Sequence, residues 1–134
     1  MNYIPLLLLL LSCRTIEKNT PNPLKNTKWE HKVAEGCISY IDFETDSTYE
    51  DYDCEMSYPF SGKYQRKNDT VYLIEIDLAT DLPGEKREVI KGRSKYLLSG
   101  ELLQYISWEE FENKKWQTAT LPPQKILYKK LNKK

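Results

Sequence analysis

Residues 59–77 read PFSGKYQRKNDTVYLIEID and indicate the fold of the chain. Two β-type runs, 59–66 and 70–77, flank the polar triplet Lys67-Asn68-Asp69. β-Branched and aromatic residues favour strands, whereas Asn and Asp favour turns. The stretch therefore predicts an antiparallel hairpin with a tight connection.

Short β-type runs separated by turn residues continue on both sides of this hairpin. The further predicted strands are 28–33, 37–43, 48–53, 87–91, 95–98, 101–107 and 126–131. Helical periodicity is almost absent, and the ten tyrosines and three tryptophans suit a pleated surface. We therefore expect an all-β fold with little helix. Sequential hairpins favour an antiparallel up-and-down barrel of about eight strands, at most ten, over a Greek-key sandwich.

The N-terminus has a different character. Met1-Asn2-Tyr3 leads into Ile4-Pro5 and six leucines, followed by Ser12 and Cys13. The apolar run is too short for a membrane-spanning helix of about 20 residues, and has the length of a signal-peptide core. Leu10-Leu11-Ser12-Cys13 resembles the lipobox of bacterial lipoproteins, although residues 1–3 lack the usual Lys or Arg. The resemblance implies that residues 1–12 are a signal peptide and that Cys13 carries acyl chains such as palmitate.

Residues 13–26 are polar, contain two prolines and show no periodicity. They predict a flexible tether of roughly 20 Å between the lipid and a domain that comprises residues 27–134. No acidic run follows Arg14, in contrast to some surface-exported lipoproteins. We therefore expect a lipid-anchored protein of the cell envelope, on the periplasmic face of the outer membrane.

Cys37 and Cys54 remain once Cys13 is assigned to lipid. An oxidising periplasm favours a disulfide between them, and a two-residue turn at Thr45-Asp46 would place them opposite each other. A three-residue loop would instead pair Phe43 with Tyr49 and displace the cysteines by one. A β-bulge within residues 50–53 reconciles the two registers and is the arrangement we favour, with two separate thiols as the alternative.

A further resemblance rests on a series of short motifs. They are Trp29, IDF at 41–43, TY at 48–49, SGKY at 61–64, DTVYLIEI at 69–76, KYLLSGELLQY at 95–105 and ILYKK at 126–130. This series resembles the small lipocalin-like lipoproteins of the Bacteroidetes. The Gly-x-Trp that opens many lipocalins is present here only as Lys28-Trp29, without the glycine.

The resemblance implies a membrane-tethered barrel that binds a small apolar ligand. Strand alternation then selects the lining residues Ile41, Phe43, Tyr49, Tyr64, Tyr72, Ile74, Leu97 and Tyr105. The same side chains could instead fill the core, because an eight-stranded barrel has little interior space. The alternative function is a protein-binding module, such as a periplasmic enzyme inhibitor or an envelope assembly factor.

Other function classes find little support in the sequence. The 20 basic and 20 acidic residues balance, so nothing suggests a nucleic-acid partner. His31 is the single histidine, and the acidic residues of 42–55 fit no calcium-loop pattern, so we expect no metal. Nucleophile-elbow, zinc-protease and phosphate-loop motifs are absent, so we expect neither an enzyme nor a cofactor.

Two tripeptides, Asp46-Ser47-Thr48 and Asp69-Thr70-Val71, resemble the O-glycosylation acceptor of exported Bacteroidetes proteins. Both lie at predicted turns, which a modifying enzyme could reach. Ser47 and Thr70 are therefore candidate glycosylation sites.

Overall fold

The computed structural model describes residues 21–79, 87–120 and 125–132. They form an all-β structure, as the sequence predicts, and the described part contains no helix. The described residues form nine strands: β1 (Thr27–Ala34), β2 (Cys37–Phe43), β3 (Thr48–Asp53), β4 (Tyr58–Lys67), β5 (Thr70–Ala79), β6 (Arg87–Ser99), β7 (Leu102–Glu112), β8 (Lys115–Thr118) and β9 (Leu127–Lys130).

Eight of these strands close into an antiparallel barrel, which confirms the predicted fold class. Strands β1 to β7 pair in sequence order, and β9 closes the barrel by pairing with both β7 and β1. Strand β8 stands outside the closed ring, because it pairs only with the last part of β7. Within the described residues, no helix is long and apolar enough to cross a membrane.

The hairpin of residues 59–77 forms as predicted, with Lys67 paired to Thr70. Asn68 has a φ of 54°, in the left-handed region that Asn tolerates better than most residues. The predicted strands 87–91 and 95–98 form a single strand, β6, which pairs with β5 from Arg87 to Leu97. Gly92 pairs with Glu75, and the register with β5 then shifts by one residue before Ile90 pairs with Ile76.

The apolar core fills one end of the barrel, which we call the closed end. It lies beside the turns that join β2 to β3, β4 to β5 and β6 to β7. Phe43 and Tyr64 pack edge to face there, with ring centroids 4.8 Å apart. The buried residues are Leu24, Trp29, Ile41, Phe43, Tyr49, Tyr64, Val71, Leu73, Tyr96, Leu103 and Tyr128.

The interior face of β5 is the opposite of the predicted one. Val71 and Leu73 are 0% and 1% exposed, so Tyr72 and Ile74 lie on the outer face. Leu97 is also on the outside, at 41% exposure. A shift of one residue along a strand exchanges its two faces, and both faces of β5 carry apolar side chains, so the alternation left its orientation undecided.

The tether also ends earlier than expected. Leu24 is completely buried, and its backbone N–H donates to Asn22 Oδ1. The Asn22 side chain donates to the Tyr64 hydroxyl at 2.8 Å, and Thr27 donates its backbone N–H to the Leu24 carbonyl. The folded domain therefore includes residues from Asn22 onward, because one leucine of the polar segment covers the closed end.

Candidate functional site

The other end of the barrel holds a cavity of about 860 Å³ that opens to solvent, and we call it the open end. Its floor is Tyr49, which belongs to the buried core. Exposed Glu55, Met56 and Lys125 lie at its rim. The described lining residues are His31, Val33, Ser39, Tyr49, Asp51, Asp53, Glu55, Met56, Phe60, Glu75, Ser94, Tyr105, Trp108, Glu110, Lys125, Ile126 and Tyr128.

The cavity results from a change of residue type along the inward faces of the strands. On β3, Tyr49 at the closed side is followed two and four residues later by Asp51 and Asp53. On β5, Glu75 follows Leu73 in the same way. Alternate residues of a strand face the same side, so these carboxylates replace apolar side chains in the interior and leave it unfilled.

The cavity is acidic. Its described lining contains five carboxyl groups, on Asp51, Asp53, Glu55, Glu75 and Glu110. Lys125 is exposed at the rim, and the Nδ1 atom of His31 donates to the Leu127 carbonyl oxygen at 3.1 Å. The carboxyl groups of the described lining therefore outnumber its two basic side chains.

Asp51 is the carboxyl group whose environment matters most. Burial, followed by repulsion from Asp53 and Glu75, raises its pKa to about 7. Burial also raises the pKa of Tyr49 and Tyr128, and the charge of Asp51 adds to both shifts. The protein groups around the cavity therefore stabilise a negative charge on Asp51 poorly.

One glycine makes room for an aromatic side chain in the cavity wall. A Cβ atom at Gly92 would lie 2.8 Å from Cε2 of Trp108. Real Cβ contacts are rarely this short, so any larger residue would displace the ring. Gly92 thus lets Trp108 pack directly over the neighbouring backbone. At Gly62 a Cβ atom would instead overlap the backbone carbonyl of Ile74 on the paired strand.

A disulfide between Cys37 and Cys54 crosslinks the rim of the cavity. This bridge confirms the predicted pair. Phe43 pairs with Tyr49, and this register continues to Tyr40–Tyr52 without a bulge. The one-residue offset lies beyond Tyr52, where the Cys54 backbone N–H donates to Ser39 Oγ at 3.1 Å. The predicted bulge within residues 50–53 is therefore absent, and the pairing of β2 with β3 ends at Tyr52 instead.

Asp53 organises the next part of the rim. Its Oδ1 atom accepts from the backbone N–H groups of Glu55 and Met56 at 2.8 and 3.3 Å. The disulfide and this carboxylate together fix the chain where it leaves β3. They position Glu55 and Met56 at the cavity entrance.

The predicted lining residues are divided among three places. Ile41, Phe43 and Tyr64 belong to the packed core, and only Tyr49 and Tyr105 line the cavity. The outer face carries Tyr72, Ile74 and Leu97. Sequence reasoning missed the acidic group, although TYEDYD at 48–53 places Asp51 and Asp53 on the face of Tyr49.

The remaining predicted sites lie away from the cavity or outside the description. Ser47 is exposed in the turn before β3, and Thr70 is partly exposed at the start of β5. Both stay predictions, and Cys13 lies outside the described residues. In the part of the chain that the structure describes, no group of three or more His, Cys, Asp or Glu side chains could hold a metal ion.

No protein-family model, curated protein or solved structure matches this chain.

Proposed function

We propose that this chain is a membrane-tethered, lipocalin-like envelope lipoprotein that binds one small organic molecule at the open end of its barrel. The observation that carries the proposal is the cavity of about 860 Å³ above a packed floor. Ligand sites for small molecules are concave and usually measure about 300–1,000 Å³. The volume suits one such molecule, and the packed closed end keeps it in the outer half of the barrel.

The lining favours an amphipathic ligand over the wholly apolar one that the sequence suggested. Phe60, Tyr105 and Trp108 supply apolar surface, but Asp51 lies among them. Burying a carboxylate against an alkyl chain is unfavourable unless the carboxylate is protonated or paired. A fatty acid would add a further negative charge and is therefore a poor candidate.

The position of the tether supports access from the aqueous side. The chain enters the barrel at the closed end, where Leu24 is buried, and the cavity opens at the opposite end. Lipid on Cys13 would therefore hold the closed end nearer the membrane. The ligand would arrive from the periplasm and would not have to leave the bilayer core.

Saturable binding of N-phenyl-1-naphthylamine, a neutral fluorescent probe, tests this proposal. The full chain is used with Cys13→Ser, which prevents lipidation. We expect one probe per barrel, and we expect Ser94→Trp to abolish binding because Ser94 lines the cavity. Leu97→Trp is the matched control, because Leu97 is 41% exposed on the outer face. Absence of saturable binding, or equal loss in both variants, would argue against a ligand cavity.

The lipid anchor needs its own test. Cys13→Ala should move the protein from the detergent phase to the aqueous phase, or leave it uncleaved. A variant that still partitions like the original protein would contradict the lipobox assignment.

Binding of another protein is the second candidate, and the rim favours it. Met56 and Tyr58 are 64% and 57% exposed, and the Tyr58 ring packs against Phe60 of the cavity wall at 5.0 Å. Exposed apolar groups beside a polar rim are typical of interaction surfaces. Failure of the probe experiment, together with loss of a partner on Tyr58→Ser, would favour this function.

A further inference from the structure

We infer that the cavity selects an organic cation, namely an amine or quaternary ammonium ion attached to an apolar body. This inference rests on the proposed function, because it requires the cavity to hold a ligand, and it adds the charge and chemical class of that ligand. Three features of the described lining carry it: its shape, its aromatic walls and the arrangement of its carboxyl groups.

The walls are suited to the apolar body and to a positive charge. Aromatic side chains reach the cavity from several strands: Tyr49 from β3, Phe60 from β4, Tyr105 and Trp108 from β7, and Tyr128 from β9. Aromatic rings attract ammonium groups through their quadrupole, and Trp does so best. Several rings around one space are the arrangement by which proteins hold quaternary ammonium ions.

The carboxyl groups lie at different depths on different strands. Asp51 is the deepest on β3, Glu75 lies nearby on β5, two strands along the sheet, and Glu55 and Glu110 lie at the exposed rim. This distribution draws a cation inward from the entrance. It does not suit a bare metal ion, because the described acidic side chains form no group of three that could hold one.

The buried position of Asp51 favours a ligand that carries a positive charge. No ion pair to Asp51 is present among the described residues. An ammonium group beside Asp51 would supply the missing partner, whereas a carboxylate or phosphate ligand would increase the repulsion. Hydrogen bonds to a charged group are also stronger than neutral ones, so the pairing adds specificity.

The test uses three fluorescent probes that differ only at one end. Dansylcadaverine carries a terminal ammonium group, N-pentyl dansylamide carries a neutral methyl group, and dansyl-6-aminohexanoic acid carries a carboxylate. Each is titrated into the full chain with Cys13→Ser at low ionic strength. We expect dansylcadaverine to bind at least about tenfold more tightly than the carboxylate probe, since one charge-assisted contact contributes about 1.5–3 kcal/mol.

Substitutions then locate the charge selection. Asp51→Asn should weaken dansylcadaverine by about tenfold or more, whereas the neutral probe should bind at least as tightly as before. Asp46→Asn is the matched control, because Asp46 is exposed in the turn at the closed end. Glu110→Gln at the exposed rim is a second, milder variant that alters no buried group, and added salt should weaken only the cationic probe.

The two hypotheses fail in different ways. Binding of the neutral or carboxylate probe as tightly as dansylcadaverine would overturn the cation inference and leave the ligand-binding function intact. Unchanged cation affinity in both Asp51→Asn and Glu110→Gln would also overturn it. Failure of all three probes to bind would overturn the proposed function and, with it, the inference.

Discussion

The closed and open ends of the barrel share the same strands and the same alternation of faces, yet they bury different chemistry. On β5, Val71 and Leu73 at the closed end are 0% and 1% exposed, whereas Glu75, the next inward residue, lines an open cavity. On β3 the same change occurs between Tyr49 and Asp51. One strand can thus contribute to a stabilising core over half of its length and to a polar site over the other half.

The difference has an energetic consequence. Apolar surface removed from water contributes about 25 cal/mol per Å², so the closed end accounts for much of the stability. A carboxyl group that is desolvated without a partner opposes folding. The open end therefore lowers the stability of the free protein, as expected for a site that becomes complete only when a ligand binds.

The largest expected effect on stability comes from removing one phenylalanine ring at each end of the barrel. Phe43→Ala deletes a fully buried ring of the closed end and should lower the free energy of unfolding by about 3–5 kcal/mol. Phe60→Ala removes a partly exposed ring of the cavity wall and should cost less than about 1.5 kcal/mol. Urea unfolding measures both values, and equal costs would contradict the division of the barrel into a core and a site.

Leu24→Ala tests whether the segment before β1 belongs to the closed end. Leu24 is completely buried, so we expect a loss of about 2–5 kcal/mol, as for a leucine of the core. Pro23→Ala, in the exposed neighbouring residue, is the control and should change stability by about 0.5 kcal/mol or less. A negligible effect of Leu24→Ala would mean that residues 22–26 belong to the tether and not to the folded domain.

These results show which parts of the molecule a sequence can predict. Strand alternation and turn residues identified the hairpins, since both signals are local, and the resulting run of hairpins predicted the barrel. The Cys37–Cys54 pair was also predictable, because the hairpin between them is short. The orientation of β5 was not, because Val71 and Leu73 alternate with Tyr72 and Ile74 and all four are apolar.

The candidate site was missed for a different reason. Asp51 and Asp53 share a strand face with Tyr49, but charged residues are rarely buried, so a sequence favours placing them in solvent. Leu24 was likewise assigned to the tether because a single leucine among polar residues gives no periodicity.

Removing the disulfide should affect the open end first. The bridge joins residues 17 apart, and in the chain-entropy model a loop of this size contributes about 3 kcal/mol. The double variant Cys37→Ala, Cys54→Ala should lose about this amount in urea unfolding. Hydrogen exchange should become faster mainly around Ser39 and Asp53, because local openings begin where few contacts remain. Equal loss of protection at Leu73 would mean that the bridge supports the whole barrel.

The smallest effect, and the one that distinguishes the two ends most directly, is the pH dependence caused by Asp51. Asp53 on its own strand, Glu75 on β5, Tyr96 on β6 and Tyr128 on β9 interact with it electrostatically. Its pKa of about 7 in the folded protein exceeds the value of about 3.9 in an unfolded chain. The native state therefore binds the extra proton, and this contribution to stability is lost as the pH rises from about 4 to about 7.

Asp51→Asn should remove this dependence. Each pKa unit corresponds to about 1.4 kcal/mol, and solvent in the open cavity reduces the full effect, so we expect a gain on the order of 2 kcal/mol at about pH 8. At about pH 4 the variant and the original protein should be equally stable. Asp46→Asn at the closed end, where Asp46 forms an exposed ion pair with Lys25, should leave the profile within about 0.5 kcal/mol. Urea unfolding across this pH range measures both variants. A parallel profile for Asp51→Asn would mean that the cavity carboxylate is solvated like a surface group, and the contrast between the two ends would then be one of packing alone.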